Sequence, residues 1–142
     1  MLIPLGPKEF TIKGKMYERI DIKLFNERKH RLECSHFKPI VSANKELPCV
    51  IYMHGNCSSR VEALTILRSI LPMEITVFCF DFSGSGKSGG DYISLGWYER
   101  EDLKTVVDYL RKSGTVSTIG FIFVIHVIMK VFEEEVWEQL QQ

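Results

Sequence analysis

The sequence predicts an α/β fold in which an amino-terminal antiparallel hairpin is followed by parallel strands joined by crossover helices. Three observations carry this expectation. Two early segments alternate apolar and polar residues, short buried-type strand runs follow them, and helical periodicity separates those runs.

The elements can be justified in order. Residues 15–25 place Ile20, Ile22 and Leu24 on one face and Asp21 and Lys23 on the other, the period of a half-buried strand. Residues 31–37 repeat the pattern with Leu32 and Cys34 inward, and the polar stretch Asn26-Glu27-Arg28-Lys29-His30 between them reads as a hairpin turn. Residues 39–48 are expected to form a long loop. Cys49-Val50-Ile51-Tyr52-Met53 is an unbroken apolar run, the mark of a strand covered on both faces. Ser59 with Glu62 three residues on is a capping-box signature, and Ala63, Leu67 and Ile70 share a helical face that should end near Pro72. Residues 75–80 form a second buried strand. The glycine-rich stretch 81–90 comes next, then a helix over 96–112 with Leu103, Val106, Val107 and Leu110 on one face. Gly114 suits the helix exit, and a third buried strand runs from 115 or 116 through Ile119.

Composition narrows the functional classes. The chain has 142 residues, 45% hydrophobic and 25% charged, with nine Phe, five Tyr and two Trp to fill one core. Lys plus Arg balance Asp plus Glu at 18 each, which removes the net attraction that a nucleic-acid binder normally carries. Cys34, Cys49, Cys57 and Cys79 include no C-x-x-C pair, so no metal centre is expected. Cys49 and Cys79 lie in apolar runs, and residues 1–10 hold Pro4 and Pro7 with no apolar stretch long enough for a signal peptide. A cytoplasmic protein is expected.

The glycine-rich stretch admits three motifs. Gly86-Lys87-Ser88 fits the end of a phosphate-binding P-loop, but the first glycine of that pattern falls on Asp81, whose carboxylate would oppose the phosphates. Gly84, Gly86 and Gly89 match G-x-G-x-x-G, but no helical periodicity opens at these glycines. Gly86-Lys87-Ser88-Gly89-Gly90 matches G-x-S-x-G formally, yet Ser88 lacks the helix that a nucleophile elbow requires. The favoured reading is an ordered strand-to-helix connection in which Asp81, Gly84, Gly86 and Ser88 serve structure.

His54-Gly55-Asn56-Cys57 follows one strand and precedes a capped helix, at the carboxyl end of a parallel strand where open α/β sheets bind ligands. Taken with Pro48–Met53 before it, the 81–90 loop after the next strand, and Leu95-Gly96-Trp97 opening a helix with Asp102-Leu103 and Val107-Asp108-Tyr109-Leu110, the sequence resembles the α/β-hydrolase superfamily. It looks most like the serine aminopeptidase-type members, over roughly residues 9 to 120. The resemblance implies that His54, Gly55, Asn56 and Cys57 form the oxyanion-hole loop, with the donated amide at Asn56 or Cys57. It also implies that the Asp81–Ser88 loop is a structural turn beside the site. The chemistry of complete relatives would be acyl transfer to water from a small ester, thioester or amide substrate, without a cofactor.

The resemblance stops after Gly120. A Gly-x-Ser-x-Gly elbow is expected there, followed in chain order by the acid and the histidine. The chain reads instead Phe121-Ile122-Phe123-Val124-Ile125-His126-Val127-Ile128, and neither serine nor aspartate occurs after Thr118. Residues 1–120 are therefore expected to be the amino-terminal part of a hydrolase domain, and 121–142 a divergent tail, apolar then acidic, with the potential to form a helix. The apolar run 121–132, interrupted by His126 and Lys130, falls short of the roughly 20 residues that span a bilayer. The leading expectation is a truncated, inactive serine-hydrolase-like chain with no identifiable catalytic residue. A small nucleotide-binding module using Gly84 to Ser88 and a non-catalytic interaction protein that self-associates through an unfinished sheet are the alternatives.

Overall fold

The computed structural model of the chain describes residues 5–42, 45–53, 60–81 and 99–123. It begins with a strand that the sequence pattern did not reveal, β1 (Glu9–Ile12), which pairs antiparallel with β2 (Lys15–Phe25). Lys13 and Gly14 both take positive φ, 50° and 79°, in the two-residue turn whose twist matches a hairpin. The expected hairpin of β2 with β3 (Arg31–Pro39) is present, in a register that sets Ile22 opposite Cys34 and Leu24 opposite Leu32. Ile22 and Leu24 pack on the core, whereas Ile20, expected on the same covered face, is exposed. Tyr17, from the opposite face of β2, is buried instead.

β4 (Leu47–Met53) begins two residues before the apolar run. Its register against β6 (Val116–Phe123) shifts between Leu47 and Cys49, across Pro48. A proline has no N–H to place in a ladder, so a bulge is where a strand accommodates one. The helix expected after Ser59 is broken: a 3₁₀ segment, Arg60–Ile66, leads into one α-helical turn, α1 (Leu67–Ile70), and a 3₁₀ turn, Leu71–Met73. Pro72 falls inside that last turn, and Glu74 closes it in the left-handed conformation. The side chains of the Ser59–Glu62 capping box lie outside the described residues. β5 (Thr76–Phe80) follows, then α2 (Glu99–Ser113), whose exit at Gly114 uses φ 71° as expected. The third parallel strand, β6, extends past Ile119 to Phe123.

These strands form one mixed sheet in the order β1-β2-β3-β5-β4-β6, with β4 parallel to both β5 and β6. Alternation along β5 feeds two cores. Phe78 and Phe80 join Leu32, Cys34, Ile51 and Met53 under Leu103, Val106, Val107 and Leu110 of α2. Val77 and Cys79 join Tyr17, Phe37 and Tyr52 under Ala63, Leu67 and Leu71 on the other face. The sheet therefore lies between two helical layers, which is the reason β4 and β5 are apolar without alternation.

The β2–β3 turn fastens the start of α2. Asn26 Nδ2 donates to Asp102 Oδ1 over 2.8 Å in a buried contact, and Asn26 Oδ1 accepts the backbone N–H of His30 over 2.9 Å. Arg28 pairs with Glu101 at 3.0 Å beside it. A single asparagine thus shapes its own turn and holds the helix.

His36 on β3 is buried, with Nε2 3.0 Å from Thr76 Oγ1. The Thr76 hydroxyl also donates to the Pro48 carbonyl at 3.3 Å, and Cys49 Sγ lies 3.9 Å from the same His36 nitrogen. Burial, reinforced by Lys38, pushes the His36 pKa down to about 4. A depressed histidine pKa means that the unfolded chain binds the proton first. The contribution of His36 is therefore fully present above about pH 6.5 and is lost as pH falls towards 4. Urea titrations should find the protein about 2 kcal/mol less stable at pH 5 than at pH 7. H36Q should flatten that difference, and an unchanged pH slope in the variant would refute the assignment.

Candidate functional site

Two crossovers, one over each face of the sheet, link its parallel strands. The connection from β4 to β5 runs over one face through the helical segment 60–73, and the connection from β5 to β6 runs over the other through α2. The chain thus leaves β4 in one direction and returns to its opposite side. In open α/β sheets the carboxyl ends of strands at such a reversal, here β4 and β6, are where ligands bind. Met53 and Phe123 stand level in the register at those ends. The segments that follow them in sequence are His54-Gly55-Asn56-Cys57 and Val124-Ile125-His126.

Of the residues singled out by sequence, Asp81 is described, while His54, Gly55, Asn56, Cys57, Gly84, Gly86 and Ser88 lie outside the described residues. Asp81 directly follows β5 and is buried. Its backbone N–H donates to the Glu33 carbonyl at 2.9 Å, prolonging the β3–β5 ladder by one residue. Its carboxylate turns to the next element: Oδ1 accepts the backbone N–H of Arg60 at 2.6 Å, and Oδ2 accepts from the Arg60 guanidinium at 3.1 Å. Arg60 and Asp81 side chains are 8% and 3% exposed, so the ion pair is nearly desolvated. A pair this buried is costly to assemble, and removing one partner typically costs about 3–5 kcal/mol because the other charge is stranded. Arg60 Nε is also buried, without a hydrogen-bond acceptor among the described residues.

Sequence reasoning missed Arg60. A signal was available, because a basic residue in the first turn of a helical segment opposes the dipole and calls for a nearby carboxylate. The identity of that carboxylate was not legible, since Asp81 is brought to it by strand pairing.

The described thiols are not chemical candidates. Burial raises the Cys49 pKa to about 11 and pushes Cys34 and Cys79 still higher, so none offers thiolate at neutral pH. Among the described residues no cluster of three His, Cys, Asp or Glu side chains could hold a metal ion, and no helix is long and apolar enough to cross a membrane.

No protein-family profile matches the chain. Among curated proteins, the uncharacterized protein YqkD of Bacillus subtilis is 32% identical over 72 residues, 50% of this chain and 24% of YqkD. Among solved structures, the esterase Pf2001 of Pyrococcus furiosus superposes with a TM-score of 0.69 and 27% identity, over 86% of this chain and 48% of the esterase. XC6422 of Xanthomonas campestris, an α/β serine hydrolase without a lid, superposes with a TM-score of 0.66 and 21% identity, over 92% of this chain and 56% of its own. The chain thus spans about half the length of these solved structures and about a quarter of the curated relative. Its architecture is a partial α/β-hydrolase fold, as the order of the sequence segments predicts.

The burial of the thiols has a direct readout. Native protein treated with iodoacetamide should keep Cys34, Cys49 and Cys79 unmodified, and all three should react after unfolding in guanidinium. Modification of any of them at the rate of a free thiol, without loss of structure, would contradict their placement.

Proposed function

We propose that this chain is a serine-hydrolase-like protein with the amino-terminal part of the α/β-hydrolase fold, and that it is catalytically inactive as written. One observation carries the reading. The register of β6 brings Phe123 level with Met53, and the residues after it, Val124-Ile125-His126-Val127-Ile128, offer neither hydroxyl nor thiol where complete relatives present Gly-x-Ser-x-Gly. Without a nucleophile there, an oxyanion hole has no tetrahedral intermediate to stabilise.

The remaining parts of the proposal follow the resemblance. His54, Gly55, Asn56 and Cys57 are the oxyanion-hole segment, with the serine aminopeptidase-type hydrolases as the nearest branch. Ester, thioester or amide carbonyls are the substrate class of complete relatives, the first in keeping with the esterase Pf2001. A cytoplasmic setting accords with three buried free cysteines. Incubation of the 142-residue chain with a fluorophosphonate probe should give no saturable labelling. Labelling that competes with substrate and disappears in S88A would overturn the reading and make Ser88 a nucleophile.

A second reading, a non-catalytic interaction protein, is favoured by β6 itself. Among the described residues this strand ends the sheet, carries no charged residue and leaves Ser117 and Thr118 exposed. Charges and prolines are the usual guards of such an edge. Sedimentation velocity at micromolar concentration should then find self-association that T118K weakens, and a monodisperse monomer would exclude it.

A further inference from the structure

We propose that Cys49 Sγ, His36 Nε2 and Thr76 Oγ1 form a binding site for one soft monovalent cation of the copper(I) type. The site is independent of the hydrolase reading, because Cys49 and Thr76 stand near the amino-terminal ends of β4 and β5, away from the carboxyl ends where a substrate would bind.

Three adjacent strands bring the donors together on one face of the sheet. Cys49 on β4 and Thr76 on β5 are opposite each other in the parallel register, and His36 on β3 pairs with Phe78, two residues along β5 from Thr76. Cys49 Sγ lies 3.9 Å from His36 Nε2, and Thr76 Oγ1 lies 3.0 Å from the same nitrogen. All three residues are buried, so strand pairing holds the donors in place before any ligand arrives. The cluster sits at the margin of its core. Ile20, directly across from His36 on β2, is 37% exposed, and that strand packs on the core under α2 only at Ile22 and Leu24. A small ion therefore has a short way in.

Dimensions and charge select the class of ion. Bonds of about 2.0 Å to an imidazole nitrogen and about 2.3 Å to a thiolate sulfur, typical of a closed-shell first-row ion, span 3.9 Å when they meet at about 130°. That angle is wider than the tetrahedral one and leaves Thr76 Oγ1 as a weak third donor. Zinc would ask for four ligands, and among the described residues no third His, Cys, Asp or Glu joins the pair. Thiolate and imidazole are donors that suit copper(I). A monovalent cation on one thiolate is also a neutral unit. A divalent one would leave a net positive charge in a buried setting, beside the Phe78 ring 5.5 Å from His36 and with Lys38 already near.

Cys49 keeps its proton in the free protein, which makes it inert as a nucleophile and not as a ligand, since metal binding itself drives the proton off. The S–H bond gives way to a sulfur–metal bond, and the proton passes to buffer. The His36 Nε2 lone pair goes to the ion, with the ring proton on Nδ1, and no electron is transferred.

Competition against a chromophoric copper(I) chelator tests this on the reduced full chain without oxygen. The parent should withdraw one equivalent of copper(I) with its circular dichroism unchanged, and C57S, whose thiol is not part of the cluster, should match it. H36Q and C49S should each bind about tenfold more weakly or worse, a loss at least as large as that of a residue that merely supports a ligand. X-ray absorption of the loaded parent should find one sulfur together with nitrogen or oxygen neighbours. A measurement without substitution covers the case in which a variant does not fold: silver(I), a redox-inert ion of the same charge, should shift the Nε2 resonance of His36 in histidine-labelled parent and leave those of His30, His54 and His126 in place. Absence of uptake by the folded parent, undiminished uptake in H36Q, a sulfur-only environment or an unmoved His36 resonance would each overturn the proposal.

Discussion

The structure depends on one constraint: β5 must be covered on both faces. All five of its residues are buried, and it lies between β3 on one side and β4 on the other. Alternate side chains therefore enter different cores, so neither helical layer can be removed without exposing a strand of continuous apolar character. This accounts for the helical segment 60–73 lying on one face and α2 on the other. Right-handed crossovers would permit that arrangement, and the burial of β5 requires it.

The same strand links packing to the site. Because β5 is locked between its neighbours, Asp81 at its end is held by the ladder and can present both carboxylate oxygens to Arg60. The first turn of the helical segment thus receives an acceptor from a residue that is remote in sequence. Its 3₁₀ start is in keeping with an end anchored by a strand. At the start of α2, on the other face of the sheet, Asn26 plays a comparable part, coupling a hairpin turn to the buried Asp102. Two buried polar contacts fasten the two helical layers to the sheet, where apolar packing alone would set depth more firmly than angle.

The hairpin, the succession of strands and helices along the chain and the helical face of α2 were legible because each depends on residues close together in sequence. Leu103, Val106, Val107 and Leu110 lie under the helix as their spacing requires. The errors have equally physical causes. β1 is short, and its signal lay in the Lys13-Gly14 turn more than in its apolar content. Ile20 obeys the period of its strand, but α2 covers that strand only as far as Ile22 and Leu24. The segment at 60–73 has a helical apolar face, yet it divides into 3₁₀ and α turns, with Asp81 holding Arg60 at one end and the left-handed Glu74 closing the other.

The sequence by itself determined the α/β class, the apolar strands that must be buried, and the absence of serine and aspartate after Thr118. These are properties of composition and local period, and folding does not alter them. Tertiary structure decided which face of each strand is covered, how β6 aligns with β4, and which carboxylate meets Arg60. Those outcomes depend on contacts between residues far apart in the chain. Asp81 illustrates the division: the sequence marked it as a structural member of the loop after β5, and the fold supplied the backbone amide that it holds.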